Sequence, residues 1–386
     1  MQRFPSSLRA GDPVAVSIRK VLAVSMWFLI AGAADAATSE TDVRPGIAPD
    51  IRTDDTLKFQ RGNYVVVPIP ISNPTLDAGL IAGAAYFYPQ TEKQQSEQPA
   101  SVTAVAAMYT GNDSRALAVA QQNYWSENKW RFTGALGAAD MRLTLLAQEG
   151  TTEASNVDWR IYGGFLFARL ARKLTGHWYV GGFTRIVDAN QRIGLGETPN
   201  SDFDTNSEAR SVGVGMSLEF DTRDMPLNSY SGHHFKLDAL FNDEAIGSNT
   251  TYQSWNASFR SYRRIRDRLV LAGEVQACKR GGTAPLWDAC TLRLRGFSAT
   301  DYLGEVSSSA QLEMRWQFGN RFGLVGFGGA GYTGDSFSGI REHEAIPSYG
   351  VGLRFMVLQE KRINLRLDYA RSTGSDAIHV SVGEAF

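Results

Sequence analysis

The stretch SVGVGMSLEFD, residues 211–221, is apolar at every second position, and serine, glycine or acidic residues fill the positions between. Alternation with a period of two indicates a β-strand that has one apolar and one polar face. The same pattern recurs in AQLEMRWQF (310–318), YGVGLRFMV (349–357) and INLRLDYA (363–370). We therefore expect β-structure over much of the chain.

Sixteen segments of this kind can be counted. A soluble β-sandwich also alternates, but its strands are usually about 5–6 residues long and its polar face meets water. Many segments here are longer, their polar faces carry glycines and opposed charges, and aromatic residues lie near their ends. These features are typical of a membrane barrel, which must close because backbone groups in lipid need internal partners. The predicted strands are 64–71, 79–88, 101–110, 114–125, 129–146, 156–173, 177–189, 208–221, 232–242, 250–264, 268–279, 305–318, 321–333, 347–358, 361–371 and 377–386.

The predicted fold is therefore all-β: a single 16-stranded antiparallel transmembrane β-barrel over residues 63–386, whose C-terminal strand ends in Phe386. Its outer face should be apolar and its lumen polar. Connections should be short on one side and long on the other, and the polar link 90–100 departs from this rule.

The N-terminal residues have a different composition. An apolar run follows Arg19 and Lys20 and ends in small residues, which predicts a signal peptide over residues 1–36; a short membrane anchor is the alternative. Residues 37–62 are polar and predict a short, flexible lead-in.

The composition excludes several classes of function. A formal net charge of −1 gives no indication of nucleic-acid binding. No motif for nucleophilic catalysis, phosphate binding or metal ligation is present, so we expect no enzyme activity, no cofactor and no metal. A hydrolase built on the barrel wall is a remote alternative.

The two cysteines, Cys278 and Cys290, leave two interpretations open. A disulfide between them is compatible with export to an oxidising compartment. Two free thiols are equally compatible with the sequence, because it does not reveal whether the side chains are close in space.

Charged residues on the polar faces of the strands are expected to point into the lumen. There they could form specific pairs or simply line a hydrated interior. The predicted inward charges are Glu219, Asp221, Glu274, Arg315, Arg354, Arg366 and Asp368.

Several segments together resemble the BamA/TamA-type outer-membrane barrels, also called the bacterial surface antigen family. LRGF (294–297) is similar to the family's signature in an inward-folded outer loop, and EFDTRDMPLNSYSG (219–232) is similar to a family turn. The strands 349–357 and 363–370 and the closing IHVSVGEAF (378–386) resemble the family's last strands.

The resemblance implies a clamp in which Arg295, followed by Gly296 and Phe297, binds Glu313 on a neighbouring strand. The family's second carboxylate would fall at Gly329, so the clamp is expected to have one carboxylate only. The resemblance also implies that Val380, Val382 and Phe386 form a terminal assembly signal.

The lead-in is too short for one of the family's POTRA domains, so the sequence resembles a POTRA-less member. The resemblance implies a monomeric barrel in the bacterial outer membrane that contacts lipid, nascent outer-membrane proteins and the barrel assembly machinery. Assembly, insertion or translocation of polypeptides is the expected role, with an accessory barrel or passive pore as the alternative. The seam would lie between 64–71, which contains Pro68 and Pro70, and 377–386.

Overall fold

The computed structural model describes residues 63–147, 155–194, 205–225, 228–341, 344–359, 362–373 and 375–386. The predicted signal peptide and lead-in lie outside the described residues. All sixteen predicted strands are present, and they pair antiparallel with their neighbours into one closed barrel. Two further strands form a small ribbon inside one long connection.

The barrel strands are β1 (Asn63–Asn73), β2 (Asp77–Phe87), β3 (Val102–Thr110), β4 (Arg115–Trp125), β5 (Trp130–Ala147), β6 (Ser155–Thr175), β7 (Trp178–Gly194), β8 (Thr205–Asp221), β9 (Gly232–Asn242), β10 (Tyr252–Arg266), β11 (Leu269–Gly282), β14 (Val306–Phe318), β15 (Phe322–Gly334), β16 (Ile346–Leu358), β17 (Ile363–Ser372) and β18 (Ser375–Val382), and the ribbon is β12 (Cys290–Thr291) with β13 (Leu303–Gly304).

Alternation places the two faces of each strand as the sequence predicts. On β14, Leu312 and Met314 are exposed on the outer face, whereas Glu313 between them is fully buried inside. On β17, Leu367 is exposed outside and Asp368 is fully buried inside. The closed sheet thus separates an apolar exterior from a charged interior over this wall.

The opposite wall is built differently at the end that carries the long loops. In β5 the inner positions Met141, Leu143 and Leu145 are apolar and buried, while the outer Asp140 forms ion pairs at 2.7 Å with Arg160 and at 3.2 Å with Arg115. The apolar face of the strand therefore changes sides along its length. The outer surface at this end is polar.

This reversal gives the barrel an apolar core inside its lumen. Trp159, Ile161 and Val187 on β6 and β7 pack with the inner residues of β5, and Trp287 of the long connection covers them. The expectation of a uniformly polar lumen is therefore wrong for this half. The reason is that a plug folded into the barrel needs apolar surface to pack against.

The connections set the two ends apart. Short turns join β4 to β5, β6 to β7, β10 to β11 and β14 to β15, and the β4–β5 turn is formed by Ser126, Glu127 and Asn128, which all have positive φ. We call this end the short-turn end and the opposite one the long-loop end. The irregular link between β2 and β3 contains a helix, α1 (Glu92–Glu97), closed by a capping box between Thr91 and Gln94.

Helices contribute little to the described residues. None of those helices has the length and apolar character that a membrane crossing requires.

The inner apolar core yields a first prediction. Leu143→Ala should lower the free energy of unfolding by about 2–5 kcal/mol, because it removes buried methyl groups and leaves a cavity. Leu136→Ala on the outer face of the same strand is the matched control and should cost much less in equilibrium urea unfolding, since Leu136 is 57% exposed and Leu143 only 4%. Equal losses would contradict an inner core at this end.

Candidate functional site

The long connection between β11 and β14, residues 283–305, folds back into the lumen and is fixed at three places. Its base is tied covalently, because Cys278 of β11 and Cys290 of β12 form a disulfide. This resolves the alternatives that the sequence leaves open. The pairing closes a short loop that positions the following residues inside the barrel.

The second anchor is Asp288, at the end of a single 3₁₀ turn (Leu286–Asp288), and it is fully buried. Its carboxylate accepts hydrogen bonds from Arg185 at 3.1 Å, from the Tyr252 hydroxyl at 2.9 Å and from Arg280 at 3.3 Å. Burial alone would raise the pKa of the Asp288 carboxyl, but the charges of Arg185 and Arg280 outweigh it, so this pKa lies below its ordinary value.

The third anchor is Arg295, which crosses to the opposite wall. Its guanidinium lies 2.5 Å from a carboxylate oxygen of Glu313, 2.9 Å from one of Asp368 and 3.4 Å from the centre of the Phe327 ring. The expectation of a single carboxylate, based on Gly329, is therefore wrong. Asp368 of β17 supplies the second carboxylate, two strands beyond β15, which carries Gly329.

The backbone around Gly296 is held as firmly as the side chain before it. Gly296 has a φ of +110°, and a Cβ there would come within 3.2 Å of the β17 backbone, so the position requires glycine. Its N–H donates to the His379 ring at 3.3 Å, while the hydroxyls of Ser375 and Ser348 donate to the carbonyls of Gly296 and Arg295.

The tip of the connection reaches the far side of the lumen. Phe297 is buried, the Ala299 amide donates to the Thr75 hydroxyl at 2.9 Å, and the Thr300 hydroxyl donates to the Thr144 carbonyl at 2.8 Å. Thr75 lies between β1 and β2, and Thr144 lies on β5. The connection therefore spans the interior from β14 and β17 to the walls near β1 and β5.

Arg295 belongs to a closed ring of six charged side chains, three arginines and three carboxylates. Each arginine contacts two carboxylates, and each carboxylate contacts two arginines, so charge is balanced within the ring. The ring joins the inward connection, three strands and the C-terminus. The N–O distances, in order, are Arg295–Glu313 2.5 Å, Glu313–Arg315 2.9 Å, Arg315–Glu384 3.9 Å, Glu384–Arg354 2.8 Å, Arg354–Asp368 2.5 Å and Asp368–Arg295 2.9 Å.

The other predicted inward charges on this wall also lie inside the barrel. Arg366 contacts Asp368 at 3.6 Å, and Glu274 accepts from Arg260 at 2.7 Å and from Gln311 at 2.8 Å. These contacts are specific pairs rather than an unstructured polar lining.

The remaining two predicted residues line an open recess near the short-turn end. Glu219 pairs with Arg169 at 2.7 Å, Asp221 pairs with Arg223 at 2.7 Å, and His234 lies 3.4 Å from Glu219. The ligand atoms of the two carboxylates and His234 lie within 4.8 Å of one another. Because arginines already balance both carboxylates, this arrangement is explained without a cation.

The seam between β1 and β18 is the weakest junction of the barrel. Within the described ranges, Ser72 and Val380 form its one ladder pair, whereas β1 pairs with β2 along all of Asn63–Asn73. The stretch 63–71, which includes Pro68 and Pro70, thus has no ladder partner on the β18 side. Prolines are tolerated in such an edge strand because the missing N–H is not needed there.

The last strand ends earlier than the sequence pattern suggests. β18 stops at Val382, and Gly383, with a φ of +93°, turns the chain inward. Phe386 consequently packs inside the barrel near Tyr262 and is only 7% exposed. Of the predicted terminal assembly signal, Val380 and Val382 lie on the strand and Phe386 lies inside.

Sequence reasoning missed Asp288 with its partners Arg185, Tyr252 and Arg280, and it also missed Glu384. Asp288 sits in a long connection without alternation, so nothing in the sequence marks it as an anchor. Glu384 did leave a signal, because it is a carboxylate at a position that continues the apolar row of Val380 and Val382.

Comparisons with known proteins bear on the fold. No protein-family model and no curated protein sequence matches the chain. Among solved structures, BamA from Haemophilus ducreyi lacking POTRA domains 1–3 aligns with a TM-score of 0.56 at 10% identity, covering 84% of this chain and 70% of that one. The chain has the fold of this barrel. CdiB from Acinetobacter baumannii and CdiB from Escherichia coli each align with a TM-score of 0.53 at 10% identity, covering 84% and 85% of this chain and 60% and 68% of theirs.

The chain covers only part of these solved structures. Against the first two of these structures the chain spans 70% and 60% of their length. The resemblance of the sequence to the BamA/TamA-type barrels agrees with the likeness in fold to the solved BamA barrel.

The clamp yields a second prediction. Glu313→Gln or Asp368→Asn should destabilise the inward connection by about 3–5 kcal/mol, because each leaves buried arginine charge uncompensated. Limited proteolysis between residues 283 and 305 should then accelerate. Glu305→Gln is the control, since Glu305 is exposed at the end of the same connection. Unchanged proteolysis in both buried variants would mean that the clamp does not hold the connection.

Proposed function

We propose that this chain is an integral barrel of the bacterial outer membrane that assists the assembly, insertion or translocation of other polypeptides at its seam. The single observation that carries the proposal is the β1–β18 junction with one ladder pair. The likeness in fold to BamA and CdiB supports it. Its partners would be outer-membrane lipid, nascent outer-membrane proteins and the barrel assembly machinery, and the barrel would act as a monomer without a cofactor or catalysis.

The outer surface supports a membrane location. Alternate outward side chains such as Val351 and Leu353 are apolar and more than half exposed. Near the short-turn end, Phe322 lies 6.1 Å from Phe318 and 5.3 Å from Phe355, ring centre to ring centre. Such an aromatic group marks a membrane–water interface in barrels, and short turns belong to the periplasmic side.

The seam supports a role with polypeptides. An unpaired strand edge presents free N–H and C=O groups, which can pair with an incoming extended segment. The edge 63–71 has such groups except for an N–H at Pro68 and Pro70, while every other junction of the barrel has many ladder pairs. A strand of a client protein could thus add to β1 without breaking another part of the sheet.

An accessory barrel or passive pore is the second candidate. The observation that favours it is the polar recess near the periplasmic mouth, lined by charged side chains. The anchored connection lies between this recess and the exterior, so single-channel recordings should give low conductance unless the clamp is broken. High conductance of the native barrel would favour the pore.

A membrane-facing position yields a third prediction. Leu353→Arg should lower the free energy of unfolding in lipid by about 2–4 kcal/mol, because a charge at the bilayer midplane is costly. Thr144→Arg is the control, since Thr144 is an outward residue at the polar, extracellular end of β5. Urea titration in vesicles measures both variants. A harmless Leu353→Arg would argue against lipid at this face.

A locked seam yields the fourth prediction. A disulfide between Ser72→Cys and Val380→Cys should abolish assembly activity in the oxidised state, because the seam could no longer widen beyond the edge that is already free, and reduction should restore the activity. Val351→Cys with Tyr369→Cys, paired residues of the long β16–β17 ladder, is the control and should leave activity unchanged. Activity is measured as the folding rate of a client barrel in vesicles that contain this protein.

Depletion in cells provides the independent test. If the proposed function is right, the abundance of other outer-membrane barrels should fall when this protein is removed. Full activity of the oxidised seam variant together with unchanged barrel levels would reject the proposal.

A further inference from the structure

The C-terminal tail, residues 383–386, and the inward connection share one set of charges. Glu384 of the tail pairs with Arg354 at 2.8 Å and lies 3.9 Å from Arg315, and both arginines also bind a carboxylate that holds Arg295. The connection and the tail are therefore fixed by the same ring. A change at one should be felt at the other.

The tail has further contacts that keep it inside. The Asn364 side chain donates to Glu384 at 2.5 Å, and Arg315 donates to the Phe386 carbonyl at 2.8 Å. The Phe386 ring packs against Tyr262 within a small buried cluster. Four residues thus have both polar and apolar partners on the inner wall.

The register of the seam shows what the tail would do if it were extended. Ser72 lies opposite Val380, so a strand that ran on in this register would place Ala385 opposite Val67 and Phe386 opposite Val66. These β1 residues belong to the stretch that has no ladder partner on this side. The inward turn at Gly383 therefore keeps the tail away from residues 66–69 of this edge.

We propose that Glu384 is a positioning residue that couples the inward connection to the seam. While Arg295 is clamped, the ring holds the tail inside and the β1 edge stays free. When the ring opens, the tail extends and pairs with β1. The idea rests on the proposed function only for the use made of the free edge. The coupling itself is a property of the barrel alone.

The physical reason lies in the shared partners. Removing the charge of Glu384 leaves Arg315 and Arg354 with one ring carboxylate each, and the tail then keeps only the contact of Arg315 with the Phe386 oxygen as its link to the ring arginines. Removing Arg295 leaves Glu313 with Arg315 alone and Asp368 with Arg354 and Arg366, so these two carboxylates can draw Arg315 and Arg354 away from Glu384. Either change weakens the same attachment from opposite sides.

The test is a cross-link across the extended seam. Val67→Cys with Ala385→Cys, in the purified full-length barrel, should form a disulfide slowly in the native background. Adding Glu384→Gln or Arg295→Gln should raise the cross-linking rate about tenfold or more, because breaking a buried ion pair shifts a two-state equilibrium by at least that factor. Glu384→Asp, which keeps the charge, should return the rate toward the native value.

The matched control is Glu219→Gln, which removes a buried carboxylate from a separate cluster around Arg169. It should leave the rate unchanged. Only barrel that migrates as folded in unheated gels is scored. Gly383→Ala provides a variant without a charge change, and it should also raise the rate, because a φ of +93° is unfavourable for alanine.

Equal rates for Glu384→Gln and Glu219→Gln would overturn the role of Glu384. A rise with Glu384→Gln but not with Arg295→Gln would overturn the coupling to the connection. Neither readout needs a client, so a barrel that shows the coupling but has no assembly activity would reject the proposed function and leave this inference standing.

Discussion

Closure of the sheet is the constraint on which the other features depend. A sheet that is sealed all round has no free edge, and its only openings are the two ends. Among the described residues, this barrel closes through one ladder pair at the seam, while each of the fifteen other junctions has many ladder pairs. The inward turn at Gly383 keeps the last residues of the chain from lengthening this junction, and the tail can turn inward because the lumen offers it partners. Contacts of the tail inside the barrel thus determine how far the seam is paired.

The lumen is filled by two different kinds of packing. At the long-loop end, apolar side chains of β5 to β7 surround Trp287, as in the core of a soluble domain. Across from them, a ring of paired charges holds Arg295. The disulfide, Asp288 and Arg295 divide the inward connection into short anchored segments, so each segment has little freedom left. Covalent, polar and apolar contacts therefore act on one element together.

Much of the fold could be predicted from period-two alternation alone. All sixteen strands and the inward direction of Glu313 and Asp368 follow from it, because neighbouring side chains on a strand must face opposite sides. What joins residues across the lumen could not be predicted. Asp368 replaces the carboxylate expected at Gly329 because a neighbouring wall position can present the same charge to Arg295. The apolar core at β5 could not be predicted because the apolar residues of this strand change from its outer face to its inner face partway along.

A buried ring of ion pairs is better suited to specifying a position than to adding stability. Moving charges out of water is costly, and their mutual attraction offsets that cost only in good geometry, so such pairs often add little net stability. Each of the six groups here has two partners within the ring, and the loss of any one leaves both of them with one ring partner fewer. The arrangement therefore favours the state in which the connection and the tail are both in place over states in which only one of them is. An apolar ring of similar volume could hold either element inside, but it would not make the position of one depend on the other.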